Sequence, residues 1–253
     1  MNGTYLFKIK EYLEKYYGLD EGEVNERIKV RNGNNGLGIN DHVQGLILSL
    51  LSNQRKWGAI KKELPIIKSI FYNYDADRIR VESPERFIQE LTDKKLGNRQ
   101  IKKQMQALSY NIDLFRKMEK EYGSIDNFIL QPIDKVIKAL TNSHSEYKLK
   151  QVGVALAWEY LRNVGIDGAK PDVHLRRFLG SGRMGKSNKE IASTKEVYEQ
   201  VEELSKQTGL TKTMIDRLIW SYCATDEARI CSANPNCKNC CIKDECNSHK
   251  TIR

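Results

Sequence analysis

Apolar residues recur at three- and four-residue steps along nearly the whole of this 253-residue chain, and no sustained alternation of apolar and polar residues interrupts them. A period near 3.6 belongs to a helix with one buried face, whereas a half-buried strand has a period of two. The pattern therefore predicts an all-α fold. Ile101, Met105, Leu108, Ile112, Phe115 and Met118 define one such face, and the opposite side carries Lys102, Lys103, Arg116 and Lys117. Helix starts are marked as well. Ser83-Pro84-Glu85 sets a capping hydroxyl and a first-turn proline ahead of RFIQEL, Ser193 and Glu196 form a capping box, and Thr211 opens the helix holding Met214, Leu218 and Ile219. Segments 31–41 (RNGNNGLGIND) and 163–172 (NVGIDGAKPD) are the strongest breaks and the expected boundaries between lobes.

A hydrophobic fraction of 40% supports a real core. The longest apolar stretch, GLILSLL, ends at Ser52 and Asn53, far short of the roughly 18 residues that a membrane span needs. A net charge of +9 and a pI near 9.1 attract polyanions, a trait shared by nucleic-acid, ribosome-associated and lipid-surface proteins. The opening residues, MNGTYLFKIKEYLEKYYG, are charged and amphipathic rather than apolar, which predicts a reducing, cytoplasmic location.

Near the basic C-terminus, Cys231, Cys237, Cys240 and Cys246 fall within sixteen residues as C-x5-C-x2-C-x5-C, in ICSANPNCKNCCIKDEC. Four thiolates can close around a tetrahedral metal or the corners of a cubane, and Asn234, Pro235 and Asn236 supply the turns such a loop needs. Structural zinc sites usually pair two close knuckles across a long separation; here one close pair is flanked by two isolated cysteines. The spacing thus favours a [4Fe-4S] cluster over zinc. Cys241 is an alternative to Cys240 as third ligand, and Cys223, on a helical stretch, reads as a small buried hydrophobe.

The cysteine loop, the helical pattern and the segment KPDVHLRRFLG together resemble the endonuclease III branch of the helix-hairpin-helix DNA glycosylases, across roughly residues 42–247. That family's cysteine loop has a first spacing of six residues, where this chain has five. ILSLLSNQRKWGAI is similar to the family's LLSAQ segment, and LGNRQIKKQMQALSYNI to its G-x-x-x-x-K-A-x-x-I helix start. The resemblance implies two helical lobes flanking a DNA-binding cleft. Residues 42–145 would form the central lobe, and 1–41 would join the C-terminal part. The remnant hairpin and catalytic region would occupy 146–230, and the cluster loop and basic tail 231–253.

On the same basis Asp172, in Pro171-Asp172-Val173-His174, is the catalytic aspartate, although an aspartate after proline also serves simply as a helix cap. Gln54 is the residue inserted at the vacated base, with Asn53 and Arg55 beside it. The family hairpin reads close to LPGVGxKTA. This chain has TNSHSEYKLKQVGVALAWEYL, where only Gly153 survives, as a candidate DNA contact, and the lysine position falls at about Val154. Lys148 and Lys150 are the nearby amines that a strand-nicking activity would need. His144 in the altered turn and Arg176 after the aspartate are candidate DNA contacts. Lys94, Lys95, Arg99, Lys102 and Lys103, with Arg176, Arg177, Arg183 and Lys186, are candidate basic surfaces. Trp57, Trp158 and Tyr147 could stack on bases, although tryptophans at helical spacing more often belong to a core. The adenine-glycosylase glutamate position holds Ser49. The expectation is a monomeric DNA glycosylase of base excision repair, monofunctional, acting on double-stranded DNA with a damaged or modified base. The alternative is a catalytically inactive iron–sulfur protein that recognises damaged or structured DNA.

Overall fold

The computed structural model describes residues 3–34, 36–55 and 57–250, with backbone alone at 57, 58 and 250. Among the described residues there are sixteen α-helices and no strand. They are α1 (Tyr5–Tyr17), α2 (Glu21–Gly33), α3 (Ile39–Leu51), α4 (Trp57–Lys61), α5 (Leu64–Ile70), α6 (Ala76–Val81), α7 (Pro84–Asp93) and α8 (Ile101–Gln106). Then follow α9 (Leu108–Tyr122), α10 (Ile125–Ile129), α11 (Ile133–Thr141), α12 (Val154–Asn163), α13 (Val173–Phe178), α14 (Thr194–Thr208), α15 (Lys212–Cys223) and α16 (Asn247–Lys250). The chain divides into two compact units, one of residues 1–26 with 167–253 and one of residues 27–166. Helix α2 therefore begins in the first and ends in the second.

In the first unit α15 is central and packs against α1, α13 and α14. Its Met214, Ile215, Leu218, Ile219 and Tyr222 are buried with Leu6, Ile9 and Leu13 of α1, Leu175 and Phe178 of α13, and Val197 and Val201 of α14. The caps legible in the sequence hold the starts of these helices. Ser193 and Glu196 form both halves of a capping box at α14, and Thr211 accepts from the Met214 N–H at α15.

In the second unit the stretch GLILSLL becomes the last half of α3, where every residue from Gly45 to Leu51 is buried. A helix that is apolar on all sides must be surrounded, and α3 packs against α6, α8, α9 and, most extensively, α12. The α12 contact is close because Gly45 carries no side chain: a Cβ there would lie 2.6 Å from Val164 Cγ1. Two hydrogen bonds fix the register, Asn163 Nδ2 to Gly45 O (3.1 Å) and Ser49 Oγ to Leu156 O (2.9 Å). Residue numbers rise along α3 as they fall along α12, so the pair is antiparallel. The helix read from Ile101 to Met118 is divided at Ala107 into α8 and α9, where the Ala107 N–H is shared among carbonyls of the preceding turn, yet its apolar face is kept.

A buried polar network fastens the 31–41 break to this unit. Asp126 of α10 meets Arg31 Nη2 at 2.6 Å and His42 Nε2 at 3.0 Å through Oδ1, and its Oδ2 accepts the Leu37 N–H at 2.8 Å. A carboxylate only accepts, so His42 carries its proton on Nε2, and Nδ1 accepts from the Tyr160 hydroxyl at 2.8 Å. Burial lowers the His42 pKa, consistent with a neutral ring. Arg31 Nη1 also donates to Val164 O at 2.8 Å. Gly36, at φ 111°, passes so near Asp126 that a Cβ would sit 2.7 Å from its Oδ2. Burial pushes the Asp126 carboxyl up, but hydrogen bonds from His42, the Leu37 N–H and Arg31 prevail and hold it at about 2.

A carboxyl depressed on folding contributes stability that is complete above its unfolded pKa near 3.9 and is lost as pH falls toward the folded value. Asp126→Asn should therefore cost about 3–5 kcal/mol at neutral pH by leaving Arg31 buried without its partner. It should also flatten the fall in stability between pH 4 and pH 2, measured by urea unfolding at each pH. A variant whose acid profile parallels that of the wild type would contradict the network's role.

Candidate nucleic-acid interface and four-cysteine loop

In the second unit, the antiparallel α3/α12 pair brings the loop after α3 and the turn before α12 to the same end. The first of these carries Asn53, Gln54 and Arg55. Gln54 is exposed and left-handed, with φ 57°, an uncommon conformation for a residue bearing a Cβ. Arg55 fastens the loop to a neighbour: its Nη1 donates to the carbonyls of Leu96 and, at 3.5 Å, Gly97. Asn98 makes a second tie, donating through Nδ2 to Leu50 O at 2.9 Å and Gln104 Oε1 at 3.0 Å. The neighbouring loop carries Lys94, Lys95 and Arg99, all exposed, followed by exposed Lys102 and Lys103 at the start of α8. Among the described residues none of the five forms an ion pair within 4 Å. The Arg55 guanidinium, expected from the sequence as a DNA contact, is thus engaged in joining two loops.

The turn before α12 is a tight hairpin. Leu149 N–H donates to Leu140 O at 3.1 Å, and Val152 N–H to Leu149 O at 3.3 Å, closing a turn whose third residue, Gln151, is left-handed at φ 63°. Gly153 is the N-cap of α12, and Gly153, Val154 and Ala155 are exposed. Lys148 is half-buried and its Nζ donates to Leu149 O at 2.9 Å and to Val152 O, a clasp across the turn. Burial lowers its pKa. Lys150 is exposed. His144 is exposed, with its backbone N–H on Asn142 Oδ1. Ser49, its hydroxyl committed to α12, is buried. Trp158 is buried in the core, Tyr147 donates to Glu121 at 2.5 Å, and the Trp57 side chain lies outside the described residues.

In the first unit Asp172 is the N-cap of α13. Its Oδ1 accepts from the N–H groups of His174 (2.8 Å) and Leu175 (3.2 Å), so the cap uses one carboxylate oxygen and the side chain is half-buried. Leu175 and Phe178 anchor this short helix in the core. Two of the arginines expected on a basic surface have internal partners. Arg176 Nε donates to Ala192 O at 2.8 Å, and Arg183 donates to Cys231 Sγ at 2.9 Å and Ser232 O at 2.8 Å. Lys186 pairs with Glu203.

Arg183 thereby secures the cysteine loop. Cys231 is buried, Cys240 and Cys246 are half-buried against the first unit's core, and Cys237 is exposed at the start of a short 3-10 turn. Cys223 hydrogen-bonds Cys231 and, with Arg183 and Arg177 nearby, holds the Cys231 thiol below its ordinary range. The Tyr222 hydroxyl lies 3.4 Å from Cys240 Sγ and 3.3 Å from Cys241 Sγ. The donor set, all thiols on a turn-rich loop braced by an arginine, has the chemistry of an iron–sulfur or zinc site. Among the described residues, however, the side chains do not gather three or more His, Cys, Asp or Glu donors at one point. The [4Fe-4S] expectation therefore rests on donor chemistry and spacing.

No protein-family model and no curated protein matches the sequence. Solved structures do resemble the fold. The structure of Methanocaldococcus jannaschii 8-oxoguanine glycosylase/lyase in complex with a 15mer DNA containing 8-oxoguanine superposes with a TM-score of 0.56 at 18% identity, over 87% of this chain and 96% of that one. The structure of the same organism's 8-oxoguanine DNA glycosylase gives a TM-score of 0.54 at 20% identity, over 88% and 96%. The chain shares their fold. Among the described residues no helix is long and apolar enough to cross a membrane.

A left-handed residue with a Cβ costs about 1–2 kcal/mol, and glycine escapes that cost at some expense in chain entropy. Gln54→Gly should therefore raise stability by about 0.5–1 kcal/mol in urea unfolding. A loss of stability would show that Gln54 is held by contacts that outweigh the strain.

Proposed function

We propose that this protein is a DNA glycosylase of the helix-hairpin-helix type, in its endonuclease III branch, which hydrolyses the N-glycosidic bond of a flipped, damaged or modified base. The observation that carries the reading is Asp172, set at a helix N-cap with one carboxylate oxygen outside the cap, in a chain with the fold of two solved 8-oxoguanine glycosylase structures. Breaking the C1′–N bond leaves its electron pair on the departing base and builds positive charge on the sugar. A fixed carboxylate lowers the energy of that charge and accepts the proton that water loses as its oxygen bonds to C1′. Gln54 would occupy the space left by the flipped base, and half-buried Asn53 with exposed Lys94, Lys95 and Arg99 would meet the backbone near it.

The enzyme is proposed as monofunctional. With Val152-Gly153 taken as the V-G of the family hairpin, left-handed Gln151 stands where the motif has its first glycine. The motif lysine then falls on Ala155, one residue past Val154. Neither position has an amine, and the Lys148 amine is occupied in clasping the turn. The base named by the neighbours, 8-oxoguanine in DNA, is the first lesion to present.

The cap separates the two roles of Asp172, because asparagine caps a helix about as well as aspartate. Asp172→Asn should fold with wild-type stability and bind duplex DNA, yet release base at least about a hundredfold more slowly. Undiminished release would remove the assignment. Failure of the wild-type chain to release any base from a panel of lesion-bearing duplexes, with binding intact, would favour the inactive DNA-binding alternative.

Cys231, Cys237, Cys240 and Cys246 are proposed to hold a [4Fe-4S] cluster, which when bound would brace the 231–246 loop and take no part in bond breaking. Protein purified anaerobically should carry iron and acid-labile sulfide in equal amounts, and Cys246→Ser should lower both. A colourless protein containing zinc would refute the cluster.

A further inference from the structure

Two adjacent residues of α9 converge on one residue of the hairpin. Asn111, fully buried, grips the backbone of Lys150 on both sides: its Oδ1 accepts the Lys150 N–H at 2.8 Å, and its Nδ2 donates to the Lys150 carbonyl at 3.1 Å. Tyr110, 40% exposed, takes the side chain, with the Lys150 ammonium 3.7 Å from its ring centroid. Among the described residues no carboxylate within 4 Å competes for that ammonium. A buried amide spent on one main-chain residue is a costly commitment, and here it holds the residue just before left-handed Gln151. The effect is that an exposed hairpin tip has a fixed backbone and a lysine charge with much of its rotamer freedom removed.

We infer that Tyr110 and Asn111 are positioning residues that seat Lys150 as a contact to a phosphate of the DNA backbone. The inference rests on the DNA-binding reading above. It assigns Lys150 to affinity rather than to nucleophilic chemistry, and it gives α9 a function in a segment where the sequence showed only an amphipathic helix. A point charge already parked over an aromatic face loses less entropy on meeting a phosphate than a free lysine does, and the ring leaves the ammonium's outer side open to an anion.

The test is a double-mutant cycle on undamaged duplex DNA, read by fluorescence anisotropy across a salt series, with urea unfolding of each variant. Lys150→Ala should weaken binding and reduce the slope of log affinity against log salt by about 0.9, the loss of one phosphate contact. Tyr110→Ala, at an exposed position, should keep wild-type stability and weaken binding about threefold. That effect should vanish when Lys150 is already alanine. Asn111→Ala should weaken binding more than Tyr110→Ala and likewise lose most of its effect in the Lys150→Ala background. Equal losses in both backgrounds, or no loss from Tyr110→Ala alone, would overturn the seat while leaving the glycosylase reading standing. So would a borohydride-trapped covalent adduct with abasic DNA that disappears in Lys150→Ala, since Lys150 would then be a nucleophile. Failure of the wild-type chain to bind duplex DNA at all would instead overturn the reading on which the seat depends.

Discussion

The contact on which the second unit depends is the close antiparallel approach of α3 and α12. Gly45 removes the side chain that would hold the helices apart, and Ser49 and Asn163 spend their polar groups on the facing backbone. Because the register is fixed at two points, the end of α3 and the start of α12 cannot slide independently. The Gln54 loop and the hairpin are therefore placed by core packing rather than by their own short-range preferences. Strained backbone at Gln54 and Gln151 is tolerated because neighbouring elements over-determine it. Arg55 and Asn98 hold the first, and Lys148 and Asn111 hold the second.

The polar groups inside this unit follow the same logic. Asp126, Arg31, His42 and Tyr160 form a buried cluster that ties the 31–41 segment to α10 and α12. In the first unit Arg183 has the comparable task, spanning from the loop after α13 to the first cysteine of the terminal loop.

Much of the fold was legible in the sequence because its signals are local. The caps at Ser83, Ser193 and Thr211 act within one turn, and GLILSLL could be buried only by being surrounded. Asp172 was legible both as a cap and, through resemblance, as a candidate acid. What could not be read was the fate of long polar side chains. Arg55, Arg176 and Arg183 look like surface cations in a linear sequence, yet each donates to carbonyls of a distant loop. Asn111 falls on an otherwise ordinary amphipathic helix, and only tertiary structure shows that its amide grips residue 150. The unit boundary after Glu26 lies inside α2, where no change of composition marks it.

Hydrogen exchange with and without lesion-bearing duplex DNA tests the central claim most directly, that the shared end of α3 and α12 is where this protein meets DNA. Slowed exchange in residues 52–55, 94–99 and 149–155 together is the predicted result. Tight binding that leaves all three segments unprotected would place the DNA elsewhere and contradict the account.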